Sequence, residues 1–187
     1  MKFKTTAIII LTVILSSFTY KSEPGKYIAK NGKVNFFSHT DLEDISADNN
    51  KVSSILDSKT GKLAIELLIK SFHFKKALME EHFNENYMES DKFPKSKFDG
   101  KIENINDVDF SKNGTYNINI SGNLTIKDKT NKVSTKGTLK VDGQKLNGKA
   151  VFKILLSDYD IKIPAMVKEK ISNEIEISVD IEYQAMK

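Results

Sequence analysis

The chain reads as a mainly β protein: a closed, eight-stranded antiparallel barrel with one inserted α-helix and a short helical turn. Three observations point there. Apolar and polar residues alternate over long stretches, most cleanly between Thr115 and Ile126. Tight-turn signals such as Asp142-Gly143 separate those stretches at hairpin spacing. One segment, Lys62 to Phe98, breaks the alternation with helical spacing and a proline stop. Period-2 alternation gives a strand one dry face and one wet face. About eight such strands leave two exposed edges unless the sheet closes on itself. A two-sheet sandwich is the alternative, although it usually needs longer crossing connections than these.

Taken in order, the first stretch is set apart from the fold. Lys2 and Lys4 precede Ala7 to Phe18, an unbroken run of apolar and small residues. That run is too short to span roughly 30 Å of hydrocarbon at about 1.5 Å per residue. Residues 1–20 therefore read as a signal peptide, with the cut placed loosely between Ser17 and Glu23, and 21–187 as a single domain. The alternative is an uncleaved N-terminal anchor. The sequence has no cysteine. Lipid attachment at a mature N-terminal Cys, disulfides, cysteine metal sites and a cysteine nucleophile are all excluded.

Tyr27–Ala29 and Val34–His39 look like two strand pieces around Asn31-Gly32, a pair suited to a type I′ turn. Leu42 to Asn50 is polar and rich in Asp and Asn, and reads as loop. Val52–Leu56 is the next strand, and Ser58 to Gly61 turns the chain into the long run from Lys62. Lys97–Ile105 is another strand, with Asn113-Gly114 closing the hairpin that follows. Tyr116, Ile118, Ile120, Gly122, Leu124 and Ile126 then share one face, opposite Asn117, Asn119, Ser121 and Asn123. The alternation repeats through Val133, Thr135, Gly137, Leu139 and Val141, and again from Leu146 to Leu156. Tyr159, Ile161 and Ile163 follow. Pro164 opens a helical turn, since proline suits the first helical position. The last strand carries Ile175, Ile177, Val179, Ile181 and Tyr183 inward and a strongly acidic face outward.

At eight strands a barrel either fills with side chains or holds one small ligand. Gly122, Gly137, Gly148 and Ala150 fall on the inward face, and small inward residues leave volume. Bulges and bends are the other use of strand glycines. Within the insertion, Met79, Phe83 and Tyr87 stand at i, i+4 and i+8 with Leu78 beside them, while Glu80, Glu81, Asn84 and Glu85 cover much of the rest. The helix should stop before Phe93-Pro94. It either plugs one end of the barrel or covers a bound apolar chain.

Charge and motifs remove several functions. Lys2 and Lys4 supply two of the 29 basic residues, so the remainder sits near neutrality against 25 acids. Every basic residue is lysine, so bidentate arginine readout of phosphate or guanine is unavailable, and nucleic acid is not expected as a partner. His39, His73 and His82 match no metal-ligand spacing, and no nucleophile elbow, phosphate loop or dinucleotide fingerprint is present. Asp158 and Asp160 would share the face opposite Tyr159 in a strand, in water rather than in an acid pair. Neither catalysis, metal nor cofactor is expected.

Several segments resemble the YceI-like family. They are Asn86-Tyr87, Asp91-Lys92-Phe93-Pro94 ahead of the strand from Phe98, and Gly122-Asn123-Leu124-Thr125-Ile126 with Thr130 and Val133. The Lys127-Asp128-Lys129 loop departs from the small or glycine-containing turn usual there. The resemblance implies a lipocalin-like barrel around a polyisoprenoid or similar amphiphile, a periplasmic or secreted location, and often a homodimer. It implies no catalytic mechanism.

On this reading Phe36, Leu67, Ile69, Tyr116, Ile118, Phe152 and Ile154 line the pocket, and Leu78, Met79, Phe83 and Tyr87 form its lid. His73, His82, Lys75 and Lys76 are head-group candidates. Moving an isoprene unit from water into the pocket gains roughly 3–4 kcal/mol, but from a bilayer almost nothing. Such a balance suits a carrier of isoprenoid or fatty-acid-like chains that touches membranes transiently. Two other readings stay open: an envelope interaction module with a solid core, working through its acidic last strand, and an enzyme on a lipid-like substrate using His73 and His82.

Overall fold

The alternation of the sequence becomes, in a computed structural model describing residues 25–186, one continuous antiparallel sheet. Its strands are β1 (Lys26–His39), β2 (Asp44–Asp57), β3 (Lys62–Leu68), β4 (Phe72–Phe74), β5 (Lys95–Ile102), β6 (Gly114–Ile126), β7 (Lys129–Asp142), β8 (Lys145–Leu155) and β9 (Glu174–Ala185). The order is β1-β9-β8-β7-β6-β5-β3-β2, and β1 also pairs with β2, which closes eight strands into a barrel. The short β4 adds to β2 as an extra strand, opposing Ala47–Asn49. Each barrel strand pairs with its nearest sequence neighbours, so the topology is up-and-down. Closure eliminates the sandwich and both free edges. Residues 1–20, the signal-peptide expectation, lie outside the described residues.

Three connections differ from the sequence reading. Asn31-Gly32 is not a turn: β1 runs straight through it with register shifts at Ala29/Gly32 and Gly32/Val34. Both pairings of β1 break there, since its register with β9 also shifts between Ile28 and Lys33. Asp44–Asn50 is strand rather than loop, because β1 offers it a ladder from His39↔Asp44 to Val34↔Asn49. Asn49 is fully buried there and donates from Nδ2 to the Leu68 carbonyl at 2.9 Å. Asn113-Gly114 makes no tight turn either. Gly114 begins β6, and Asn113 Oδ1 accepts from the Gly143 N–H at 2.8 Å. Past β8, Leu156–Tyr159 is a 3₁₀ turn rather than strand, and Asp158 and Asp160 are exposed.

Asp142↔Lys145 closes the β7–β8 hairpin with Gly143 at φ +60°, where only glycine sits without penalty. The β6–β7 turn is equally short, Ile126↔Lys129, but places Lys127 at φ +55°. The core is strongest at the end where β5 leads into β6. There Ile105, Val108 and Tyr27 are buried, and Phe110 stacks on Tyr27 with ring centroids 6.0 Å apart. Next to it Tyr183 donates its hydroxyl to Ser54 Oγ at 2.8 Å, since Ser54 spends its own proton on the Ala64 carbonyl. Burial pushes the Tyr183 phenol up to about 12.

The inward glycines are not alike. Gly100 and Gly122 face each other across β5 and β6 under the Phe98 ring; a Cβ on Gly122 would lie 2.6 Å from both the Asp99 carbonyl oxygen and that ring. Gly137 sits as close, 2.5 Å, to the Lys149 carbonyl oxygen. These three mark close backbone approach. Gly148 alone is open, its Cβ direction meeting nothing nearer than Tyr183 Cε2 at 3.6 Å.

Candidate functional site

Inside the other half of the barrel the side chains do not meet. They leave a cavity of about 340 Å³, lined almost wholly by apolar atoms from all eight barrel strands, β4 and the inserted segment. Its size falls within the range of small-molecule sites. Every connection on this end of the barrel belongs to the same rim: residues 40–43, 69–94, 127–128 and 156–173.

The insertion forms a lid. Helix α1 (Ala77–His82) continues as a π-helical turn over Phe83–Tyr87. In a regular α-helix each four-residue step drifts by about 40°. A wider π turn takes up that drift, which keeps Met79, Phe83, Tyr87 and then Met88 on the cavity side. Phe83 anchors the lid. Its ring packs on Phe36 at 5.4 Å, Phe72 at 5.6 Å and Phe74 at 5.0 Å, a cluster joining the helix to β1 and β4. Offset and edge contacts at these distances are favourable beyond area burial.

The far end of the lid is tied down by charge. Lys127 is nearly buried, donates to the Tyr87 carbonyl at 3.3 Å and forms an ion pair with Glu89. A cation at the C-terminal end of a helical segment also suits its dipole. The Lys127 ammonium holds the Glu89 carboxyl below its usual range, chiefly through that hydrogen bond. Lys70 and Asp91 add a second tie at 2.5 Å. Lys127 in the β6–β7 turn thus takes an unfavourable φ and holds the lid.

Nine of the eleven residues expected in the wall and lid line the cavity: Phe36, Leu67, Ile69, Met79, Phe83, Tyr87, Ile118, Phe152 and Ile154. Leu78 does not, being 61% exposed on the outer face of the helix. Nor does Tyr116, which lies near the opposite end of its strand and donates its hydroxyl to the Asp109 and Lys112 carbonyls. Among the head-group candidates only His82 lines the cavity. Lys75 and Lys76 are exposed, the latter 3.4 Å from Glu43. His73 points outward beside Glu80 at 3.6 Å, whose carboxylate also accepts the Phe74 N–H.

The sequence reading missed the opposite rim. Ser38, Glu43, Val167, Lys170 and Ile171 all line the cavity. Pro164 starts a 3₁₀ turn at Ala165–Val167, and the Val167 carbonyl accepts from both Lys170 and Ile171. The four-residue apolar step from Val167 to Ile171 was the available signal. Elsewhere, two of the four outer acids of β9 are paired: Asp180 with Lys149 at 3.0 Å and Glu174 with Lys153 at 2.6 Å. Among the described residues no three His, Asp or Glu converge as a metal site, and no helix is long and apolar enough to cross a membrane.

Residues 26–183 match the model of the YceI-like domain. No curated protein matches in sequence. Among solved structures the chain is similar to a polyisoprenoid binding domain from Saccharophagus degradans implicated in plant cell wall breakdown. The TM-score is 0.76 at 11% identity, covering 88% of this chain and all of that one. It is also similar to BcnA from Burkholderia cenocepacia, with TM-score 0.67, 18% identity, and 81% and 95% of the two chains covered. A third is the YceI protein of Campylobacter jejuni, with TM-score 0.55, 14% identity, and 100% and 92% covered. At such identities these likenesses concern the fold.

Proposed function

The chain belongs to the YceI-like domain family, and from that membership we propose that it is an exported, non-catalytic carrier of a long apolar amphiphile, isoprenoid or fatty-acid-like. The observation that carries this reading is the cavity. An apolar-lined space of 340 Å³ leaves its walls without the dispersion partners that a packed core supplies. A barrel selected only to be a solid interaction module would fill it with larger side chains at Gly148 and Ala150. A bound alkyl or isoprenoid chain restores the missing dispersion contacts.

The description of the S. degradans domain as polyisoprenoid-binding supports the same ligand class. The lid supports a chain that enters and leaves: one aromatic anchor at Phe83 and one ionic tie at Lys127 hold a segment of eleven helical residues over the rim. Loading from a bilayer would be nearly isoenergetic for the chain itself, so the protein would exchange cargo with membranes by transient contact, as a monomer or homodimer of the mature domain in the periplasm or outside the cell.

The test is a chain-length series. Isoprenoid alcohols of increasing length are titrated into delipidated protein against diphenylhexatriene, a neutral apolar fluorophore. Affinity should rise with each added unit until the cavity is full and then level off. Affinity independent of length, or no displacement at all, would refute the reading.

A further inference from the structure

We propose that the cavity mouth selects an anionic oxygen head group, a carboxylate or a phosphate monoester, through Ser38, His82 and Lys170. This rests on the amphiphile reading of the cavity. Ser38 is 1% exposed and lines the cavity, and its Oγ accepts the Ser172 N–H at 2.9 Å. Its own hydroxyl proton has no acceptor among the described residues. Two other lining hydroxyl groups differ: Ser96 donates to the Thr125 carbonyl and Thr135 to the Val151 carbonyl. Ser38 therefore keeps a buried donor free, and a buried donor without an acceptor is costly.

The other two groups are donors as well. His82 lines the cavity from the lid and in either neutral tautomer offers one ring N–H. Phe83, next to it, stacks on Phe36, two residues from Ser38 on the same inward face of β1. Lys170 lines the rim two residues before Ser172, whose N–H reaches Ser38. The three donors are thus carried by the lid, the end of β1 and the 164–173 segment around one opening.

Charge at the lining favours an anion. Lys97 and Lys149 also line the cavity, but their ammonium groups are engaged by Glu66 at 3.5 Å and Asp180 at 3.0 Å. Glu43, the only carboxylate in the lining among the described residues, has Lys76 at 3.4 Å. Lys170 has no acidic partner among the described residues. One uncompensated cation and two further donors complement an acceptor-rich, negatively charged group. They do not complement an ammonium.

The test uses four sixteen-carbon probes with the delipidated chain below their micellar concentrations: hexadecanoate, hexadecyl phosphate, hexadecanol and hexadecylamine. Each is measured by displacement of diphenylhexatriene. The anions should bind about tenfold tighter than the alcohol, the worth of one charge-assisted hydrogen bond beyond a neutral one. Whichever anion binds more tightly identifies the head group. Lys170→Met, which keeps the apolar stem, should cut that preference to about threefold, as should 1 M salt. Ser38→Ala should act in the same direction. If alcohol and anions bind alike, or the amine binds most tightly, the head-group proposal is overturned while the carrier reading stands. Failure of all four to displace the fluorophore overturns both.

Discussion

Three of the inward glycines, Gly122, Gly137 and Gly148, provide the sharpest check on where the barrel is solid and where it is hollow. Each is replaced by alanine. At Gly148 the new methyl meets only Tyr183 Cε2 at 3.6 Å and Leu139 Cδ1 at 3.8 Å, ordinary contact distances. Removing a glycine from a strand stabilises by about 0.4–1 kcal/mol through the unfolded chain. Gly148→Ala should therefore raise the melting temperature by about 1–4 °C. At Gly122 the methyl would stand 2.6 Å from the Asp99 carbonyl oxygen and from the Phe98 ring, and at Gly137 2.5 Å from the Lys149 carbonyl oxygen. Those are backbone contacts inside paired strands, so relief requires moving a strand. Overpacking of that kind costs about 3 kcal/mol at the upper end of its usual range. Gly122→Ala and Gly137→Ala should melt about 10 °C below the parent. Calorimetry of the delipidated proteins measures all three. Equal losses at the three positions would refute the placement of the cavity beside Gly148.

Other outcomes follow from the lid and the closed end. Phe83→Ala removes a half-buried ring touching three others; it should cost about 2 kcal/mol and speed probe release in stopped flow by about tenfold. Lys127→Gly relieves the positive φ but releases the lid, so hydrogen exchange should quicken over residues 83–94 while the barrel strands stay protected. Because Glu89 is held below its ordinary value of 4.5, its contribution to the tie is present above pH 4.5 and is lost as pH falls through the depressed value. Lid protection should fall over that acid range in the parent and not in the Lys127 variant. Tyr183 shows the opposite sign. With its phenol raised from 10 to about 12, stability is full below pH 10 and declines as pH rises towards 12. Tyr183→Phe should flatten that alkaline decline in urea titrations while costing about 1 kcal/mol at neutral pH.

How much could be read in the chain depended on whether a segment's structure was decided locally. β6 through β9 alternate because one face is wet and one dry, and the alternation is visible residue by residue. The lid stripe Met79-Phe83-Tyr87 was visible for the same reason, as a helical period. Asp44–Asn50 was not, since its polar residues become strand only because β1 lies alongside, and Asn49 is buried for a bond to Leu68 on another strand. The register break at Asn31-Gly32 likewise involves two neighbours, one of them more than a hundred residues away. In the site, Tyr116 shared the inward period of β6 but sits beyond the end of the cavity, a distinction that alternation cannot make. Lys170 was hidden because it belongs to no periodic stripe, and Ser38 because it is polar although it shares the inward period of Val34 and Phe36; the contact from Ser172 to Ser38 brings them to one rim.

The central claim is that the 340 Å³ cavity holds a chain-like amphiphile in the protein as it is made. Native mass spectrometry of gently purified protein, followed by organic extraction of the same sample, tests it most directly. The expected result is an added mass at close to one ligand per barrel, recovered in the extract as an aliphatic or isoprenoid amphiphile. A barrel of unmodified mass whose extract holds no such molecule would contradict the claim.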